Sequence, residues 1–329
     1  MSDSRIGGRR LTDVPTLVDA ARGGDPRALA RLITLVENDD PALPELAAAV
    51  TPYTGNAQVL GLTGSPGVGK STTTNELVRA LRADGRRVGV LAVDPSSPYT
   101  GGAILGDRVR MQDHATDTGV YIRSMSSRGH LGGLAAATPQ AARVLEAAGC
   151  DVVLVETVGV GQAEVEVASL ADTTLVLLAP GMGDAIQAVK AGILEVADVF
   201  VVNKADRDGA DATYRDIQGM LGLVSRAPGE WRPPVVRAVA AKGEGIDDVL
   251  AAIDKHRAWL VKHGELQRRR EARAAAEVEA IALGTLRAHL ASLREGTALP
   301  SLAARVAAGS LDPFAAAREL LAGLRRSAS

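Results

Sequence analysis

The stretch GLTGSPGVGKSTTTN, residues 61–75, decides the fold. The apolar pair Val59-Leu60 leads into it, and a helix-forming stretch follows. Its spacing, Gly64-x-x-x-x-Gly69-Lys70-Ser71, is that of a phosphate-binding P-loop. Glycines let successive backbone N–H groups turn inward, which makes the nest of donors that a polyphosphate needs. The candidate cradle is Gly64, Ser65, Pro66, Gly67, Val68, Gly69, Lys70, Ser71 and Thr72. In that pattern Lys70 serves the β- and γ-phosphates, the Ser71 hydroxyl serves Mg²⁺, and the following helix adds its positive end. An ordinary glycine-rich turn would not need the strand before it and the helix after it.

From residue 57 onward, short valine-rich runs alternate with helical stretches. The strand candidates are 58–63, 88–94, 119–122, 152–156, 174–179, 198–203 and 235–239. Most are continuous apolar runs, as expected for strands buried on both faces of a largely parallel sheet in an α/β fold. Such sheets bind ligands at the carboxyl ends of their strands. Residues 11–55 read as helices, with Asp25-Pro26 as a capped start. Residues 246–262 and 265–294 read as two more, the second carrying Leu283, Leu286, Leu290 and Leu293 as an apolar stripe. The expected division is 1–56, an N-terminal helical extension; 57–262, the nucleotide domain; and 263–329, a helical arm.

The chain has 329 residues, 46% hydrophobic and 23% charged, which is the balance of a folded protein. With 2% aromatics, the core must be built from Ala, Val, Leu and Ile. A net charge of −2 argues against nucleic acid as a partner. The run Arg268-Arg269-Arg270, between Glu265 and Glu271, reads as a solvated helix face. One cysteine, Cys150, excludes an intrachain disulfide and reads as a small buried hydrophobe. There is no hydrophobic signal region and no apolar run approaching the ~18–20 residues of a membrane span. The expectation is a soluble, cytoplasmic protein.

Three further segments identify the nucleotide and the metal. VVNKAD, residues 201–206, puts Asn203, Lys204 and Asp206 after a strand in the Asn-Lys-x-Asp pattern. The Asp206 carboxylate can accept hydrogen bonds from guanine N1–H and the 2-amino group, whereas adenine offers neither. Two charge-assisted bonds at roughly 1.5–3 kcal/mol each imply a preference of ~10² to 10⁴ for guanine. AVAAKGEGID, residues 238–247, follows the last strand and resembles the loop that touches guanine through backbone amides, with Ala240 and Ala241 as the candidates, in support of the Asp206 reading. DVVLVETVGVGQ, residues 151–162, ends a strand with Glu156 and carries Gly159, in the place of an Asp-x-x-Gly that holds Mg²⁺ and reports the γ-phosphate. Asp94 ends another strand, and Asp107 follows in the same run. These acids are candidates to order a water, activate the nucleophile or complete the Mg²⁺ shell.

Taken together, GSPGVGKST, VDPSSPYTGGAILGDRVRM, SRGHLGGLA, ETVGVGQ, PGMGDAIQAVKAGILEVAD and VNKAD closely resemble the MeaB/ArgK family of P-loop GTPases. The resemblance is dense from about 59 to 246. It implies GTP/GDP and Mg²⁺ as ligands, with Ser71, Asp94, Asp107 and Glu156 toward the metal. It also implies a client, a methylmalonyl-CoA mutase or related adenosylcobalamin mutase, whose cofactor loading the protein gates and which it protects or rescues from inactivation; slow hydrolysis stimulated by that client is expected from the residues that follow Glu156. The helical arm is then a homodimer interface. A family loop maps to Pro180–Lys190, with Asp184 and Lys190 as its charged residues. Glu156 in place of aspartate is typical of that family. The usual glutamine after Asp-x-x-Gly is absent, since Val160 follows Gly159, and Gln162 is the nearest substitute.

Two rival readings differ in class. A nickel or cobalt metallochaperone would share the GTPase frame but normally gathers Cys and His. Here the five histidines are scattered, and His256 and His263, seven apart on a helix, read as surface residues. A small-molecule kinase would need an acceptor pocket and a base, and nothing beyond Asp94 suggests one.

Overall fold

The computed structural model describes residues 13–95, 114, 116–127, 134–157, 163–181, 194–295 and 298–327. Seven strands form one sheet: β1 Gln58–Thr63, β2 Val88–Pro95, β3 Val120–Ser127, β4 Val152–Thr157, β5 Thr173–Leu178, β6 Val199–Val202 and β7 Val235–Arg237. Their order is β3-β2-β4-β1-β5-β6-β7, and every pairing is parallel. β1 is central, with β4 and β5 on either side, so the loop after it opens at the middle of the sheet. Every residue of β4, β5 and β6 is buried, because helices cover both faces.

Strand ends depart from the apolar runs for local reasons. β3 continues through the polar stretch Arg123–Ser127, because it stays in register with β2 from Val88↔Val120 to Pro95↔Ser127. β6 starts after Asp198, whose carboxylate accepts from Thr174 N–H at 2.8 Å, and stops before Asn203. β7 ends at Arg237, and Val239 instead bridges antiparallel to Glu244.

Three helices precede the sheet: α1 Val14–Arg22, α2 Pro26–Glu37 and α3 Leu43–Val50. Asp25 caps α2 by accepting from Arg27 N–H at 2.8 Å, with Pro26 in the first turn where its missing N–H costs nothing. The apolar faces of these helices join Leu91 and Val153 of the sheet and Val144 and Leu145 of α5 (Leu134–Ala147) in one cluster. Arg123 on β3 pairs with Glu37 and also reaches Thr34, which ties α2 to the sheet. α4 (Lys70–Ala83) and α8 (Ile246–Lys262) pack on the same sheet through Leu77, Leu81, Val249 and Ile253. α6 (Ala163–Leu170) covers β1 and β4 with Val167, while α7 (Ala210–Leu223) packs Ile217 and Leu221 around Phe200.

The packing unit that holds the sheet continues through Arg273, inside the long helix α9 (Glu265–Glu295). Here the arginine run overturns the solvated-face expectation. Arg268 does keep to the surface and pairs with Glu265. Arg269, however, grips Asp198 with two bonds of 2.9 Å, and Arg270 and Arg273 reach Asp172 at 3.2 and 2.6 Å. Asp172 and Asp198 are buried at the amino ends of β5 and β6, so their charges need fixed cations.

His256 is a second correction. It is buried within α8 rather than exposed, with Nδ1 2.9 Å from the Thr173 hydroxyl. Its Nε2 lies 3.2 Å from Asp198 Oδ1 but outside hydrogen-bond alignment. Trp259 stacks on the imidazole and Trp231 packs tilted against it, and His263 packs on Trp259 at the surface. Burial pushes the His256 imidazole down to about 4, with Asp198 opposing and Arg269 reinforcing the shift.

The second unit starts at Ala274 and contains the rest of α9, α10 (Ala298–Ala307) and α11 (Pro313–Ser327). Leu302 and Ala316 are buried there, and Arg305 pairs with Glu319. Val278, Ile281, Leu283, Leu286 and Phe314 are exposed. Among the described residues, no helix is long and apolar enough to cross a membrane.

Candidate functional site

The loop between β1 and α4 takes its shape from positions that favour glycine. Gly64 has φ +138°, and a Cβ there would lie 2.3 Å from the Leu177 carbonyl oxygen. Gly69 has φ +96°, and its Cβ would lie 2.4 Å from Asn203 Nδ2. The positive φ strains an L side chain at both positions, and at Gly64 the contact is with backbone that cannot yield. The loop curls back over its own lysine: Lys70 Nζ donates to the carbonyls of Gly64 at 2.5 Å and Ser65 at 3.1 Å. Pro66, Gly67 and Thr72 are exposed around it, while Val68 is buried beneath.

Glu156 closes one side. It stands near the carboxyl end of β4, opposite Leu62 of β1, and is buried. The Ser71 hydroxyl donates to its Oε1 at 2.6 Å, and the Thr74 hydroxyl donates to its Oε2 at 2.9 Å. Thr74 is absent from the sequence reading. Its signal was the three-residue spacing from Ser71, which puts both on one helix face. The donor set here is all oxygen and suits a hard divalent ion.

The base-reading motif attaches to the opposite side. Asn203 is buried; its Nδ2 donates to the Val68 carbonyl at 2.8 Å and its Oδ1 accepts from Ala240 N–H at 3.0 Å. Lys204, at φ +55°, donates from Nζ to the Gly67 carbonyl at 2.6 Å. The amide of Ala240 is therefore committed to Asn203, and Ala241 sits on the exposed side of the same turn. Asp206 is half-exposed and pairs with Lys242 at 3.0 Å, another residue the sequence reading did not single out. That hydrogen bond holds the Asp206 carboxyl below the usual carboxylate range and raises the Lys242 ammonium.

The backbone puts Asp94 at the carboxyl end of β2, two positions past Ala92, which is in register with Glu156. Asp107, Gly159, Asp184 and Lys190 lie outside the described residues. The site thus unites Gly64–Thr72, Glu156, Asn203, Lys204, Asp206 and Ala240–Ala241 along the carboxyl edge of the sheet, which is where a parallel sheet binds its ligand. Glycine-lined backbone, a lysine held by carbonyls and an oxygen donor pair fit a nucleotide polyphosphate with its metal ion. Among the described residues, no three His, Cys, Asp or Glu side chains gather into a metal centre. A cavity of about 710 Å³ lies at the amino end of the strands, lined by Arg22, Tyr53, Arg86, Arg257 and Cys150 among others, and contains none of the motif residues. Cys150 is buried there, and its thiol is pushed up to about 11 by burial, consistent with a small hydrophobe.

Residues 29–295 match the family model described as methylmalonyl Co-A mutase-associated GTPase MeaB. A protein of Pyrococcus abyssi is 48% identical over 311 residues, covering 94% of this chain and 96% of its own length. The GTPase ArgK of Escherichia coli is 43% identical over 257 residues, covering 76% and 78%. The mitochondrial methylmalonic aciduria type A homolog of Mus musculus is 35% identical over 318 residues, covering 91% and 76%. A crystal structure described as a LAO/AO transport system kinase superposes with a TM-score of 0.70 at 31% identity, covering 95% of this chain and 97% of that one.

Proposed function

We propose, from the premise that this chain belongs to the MeaB family of methylmalonyl-CoA mutase-associated GTPases, that its GTP cycle is a switch docked on an adenosylcobalamin-dependent mutase. In this reading the protein gates cofactor loading into the mutase and protects or reactivates it. The GTPase activity belongs to the family; the client and the purpose of the cycle are the proposal. The observation that carries it is the family match over residues 29–295, which reaches well beyond the motifs common to all P-loop GTPases.

The residues divide the work as follows. The backbone N–H groups of the Gly64–Thr72 loop, which Pro66 lacks, bind the β- and γ-phosphates, and Lys70 transfers its ammonium from the Gly64 and Ser65 carbonyls to phosphate oxygens. Asp206 reads guanine and rejects adenine. Ser71 and Glu156 would hold Mg²⁺, with Asp94 and Asp107 as further candidate acids for the metal or the attacking water. When bound, the ion offsets the charge that builds on the transferring phosphoryl group. Gly159 and Lys190, both outside the described residues, are assigned by the family resemblance to the γ-phosphate and to the client-stimulated step. Stimulation by the client follows from the missing glutamine after Gly159, since a group supplied in trans is worth ~10³ to 10⁵ in rate in related chemistry. The second unit makes the homodimer.

The test is affinity capture from native lysate with the chain loaded with a non-hydrolysable GTP analogue, with GDP, or left empty. Nucleotide-dependent recovery of a cobalamin mutase is the expected result. A mutase absent from all three captures removes this client.

A further inference from the structure

Three threonines follow Ser71, and the fold treats each differently. Thr72 is exposed. Thr73 turns its hydroxyl back to the Gly69 carbonyl at 2.9 Å, within its own helix. Thr74 has no exposed surface and donates across to Glu156 Oε2 at 2.9 Å.

We propose that Thr74 is the positioning residue of the metal-facing carboxylate. By taking Oε2, it fixes the rotation of the Glu156 carboxylate so that Oε1 stays on Ser71. The Ser71 hydroxyl hydrogen is thereby committed to Glu156, and its lone pairs are left for the ion. This rests on the reading of Ser71 and Glu156 as the holders of Mg²⁺.

The chemistry explains why a second hydroxyl is needed. A glutamate has one more torsion than the aspartate usual at this place, and its terminal torsion is soft. The Ser71 bond sets one carboxylate oxygen and the Thr74 bond sets the other, so the pair defines the carboxylate plane. The two donors lie on one helix face, three residues apart. Removing the Thr74 hydroxyl takes this donor from Oε2 and loosens the hold on the carboxylate plane. A hydrogen bond to a charged group is worth enough to change an equilibrium about tenfold. Thr74 is fully buried behind Glu156, so in this proposal its effect appears in the metal dependence of binding and not in nucleotide binding itself.

The experiment measures the affinity of fluorescent GDP in excess Mg²⁺ and in EDTA, for the wild type, Thr74→Val, Thr74→Ser and Glu156→Gln. Thr74→Ala, which adds no methyl at this position, carries the test if Thr74→Val does not fold. The expected result is that Thr74→Val loses about tenfold of the Mg²⁺-dependent gain in affinity, keeps its affinity in EDTA, and that Thr74→Ser behaves as wild type. The proposal is overturned if Thr74→Val retains the full gain, or if it weakens equally in EDTA, which would be general damage to the loop. A wild type whose affinity ignores Mg²⁺, with Glu156→Gln no different, overturns the metal reading and the proposal with it. Loss of the gain in Glu156→Gln but not in Thr74→Val overturns the proposal alone.

Discussion

The side chain of Asn203 reaches the Val68 carbonyl at 2.8 Å, and its oxygen takes the amide of Ala240 at 3.0 Å. One buried amide therefore joins the phosphate loop to the segment beside the base. Asn203→Ala leaves a buried carbonyl and a buried N–H without partners, at a cost of about 1–3 kcal/mol in stability. Since both loops must be in place for the nucleotide, GTP affinity should fall by roughly 10- to 100-fold. Calorimetric titration checks this, and unchanged affinity would make the clasp an ornament of the nucleotide-free state.

Asp206 is held ionised by Lys242 at 3.0 Å, so its acceptor character persists at every ordinary pH. GTP should outcompete ATP by ~10² to 10⁴. Asp206→Asn should shift the preference toward xanthine nucleotides, because an amide donates where xanthine presents an oxygen. Competition against fluorescent GDP decides it. Equal binding of ATP and GTP by the wild type removes Asp206 from the base site.

His256 makes stability depend on pH. Its folded value of about 4 lies below the 6.5 of an unburied imidazole. The unfolded chain therefore takes up a proton first as pH falls. The contribution is complete above pH 6.5 and is lost as pH drops toward 4, by about 3 kcal/mol in total. His256→Gln should flatten this part of the profile, read as urea midpoints between pH 7 and pH 4.5. Trp231, whose ring centroid is 4.7 Å from the imidazole, provides the fluorescence signal. A variant with the wild-type slope would assign the acid sensitivity to carboxylates.

What the sequence discloses follows from how local each constraint is. β4 and β5 are legible because burial on both faces demands apolar runs, and VVLV and LVLL form their centres. The loop is legible because a backbone contact at Gly64 and positive φ at both Gly64 and Gly69 favour glycine there. Thr74 is not legible as a partner of Glu156, since the two are 82 residues apart and only the packing of α4 on β4 joins them. Arg269 and Arg270 resemble Arg268 in sequence. Only the placement of Asp172 and Asp198 at the sheet's amino end separates the clamp from the solvated charge.

That separation can be measured. Arg269→Ala leaves the buried Asp198 carboxylate without its bidentate partner and should cost about 3 kcal/mol. Arg273→Ala, acting on Asp172, should cost a similar amount. Arg268→Ala breaks a surface pair to Glu265 and should stay within about 0.5 kcal/mol of wild type. Denaturant midpoints rank the three. Equal small effects would mean that water already screens both aspartates.

The clamp also determines how to test self-association. Val278, Ile281, Leu283 and Leu286 are exposed on the second unit, and Phe314 is 81% exposed. Large apolar side chains grouped on one helix mark an interaction surface, and the proposed occupant is a second copy. A chain cut after Gly264 would lose Arg269, Arg270 and Arg273 together with the arm, so aggregation there would report buried aspartates stripped of their partners. A chain ending at Arg273 keeps all three arginines and removes only the second unit. It should sediment as a folded monomer that still binds GDP, while the full chain sediments as a dimer. Ile281→Glu in the full chain should weaken the dimer without changing nucleotide affinity, because a charge at an apolar contact is costly to bury. A dimer that survives both changes would place the interface on the nucleotide domain.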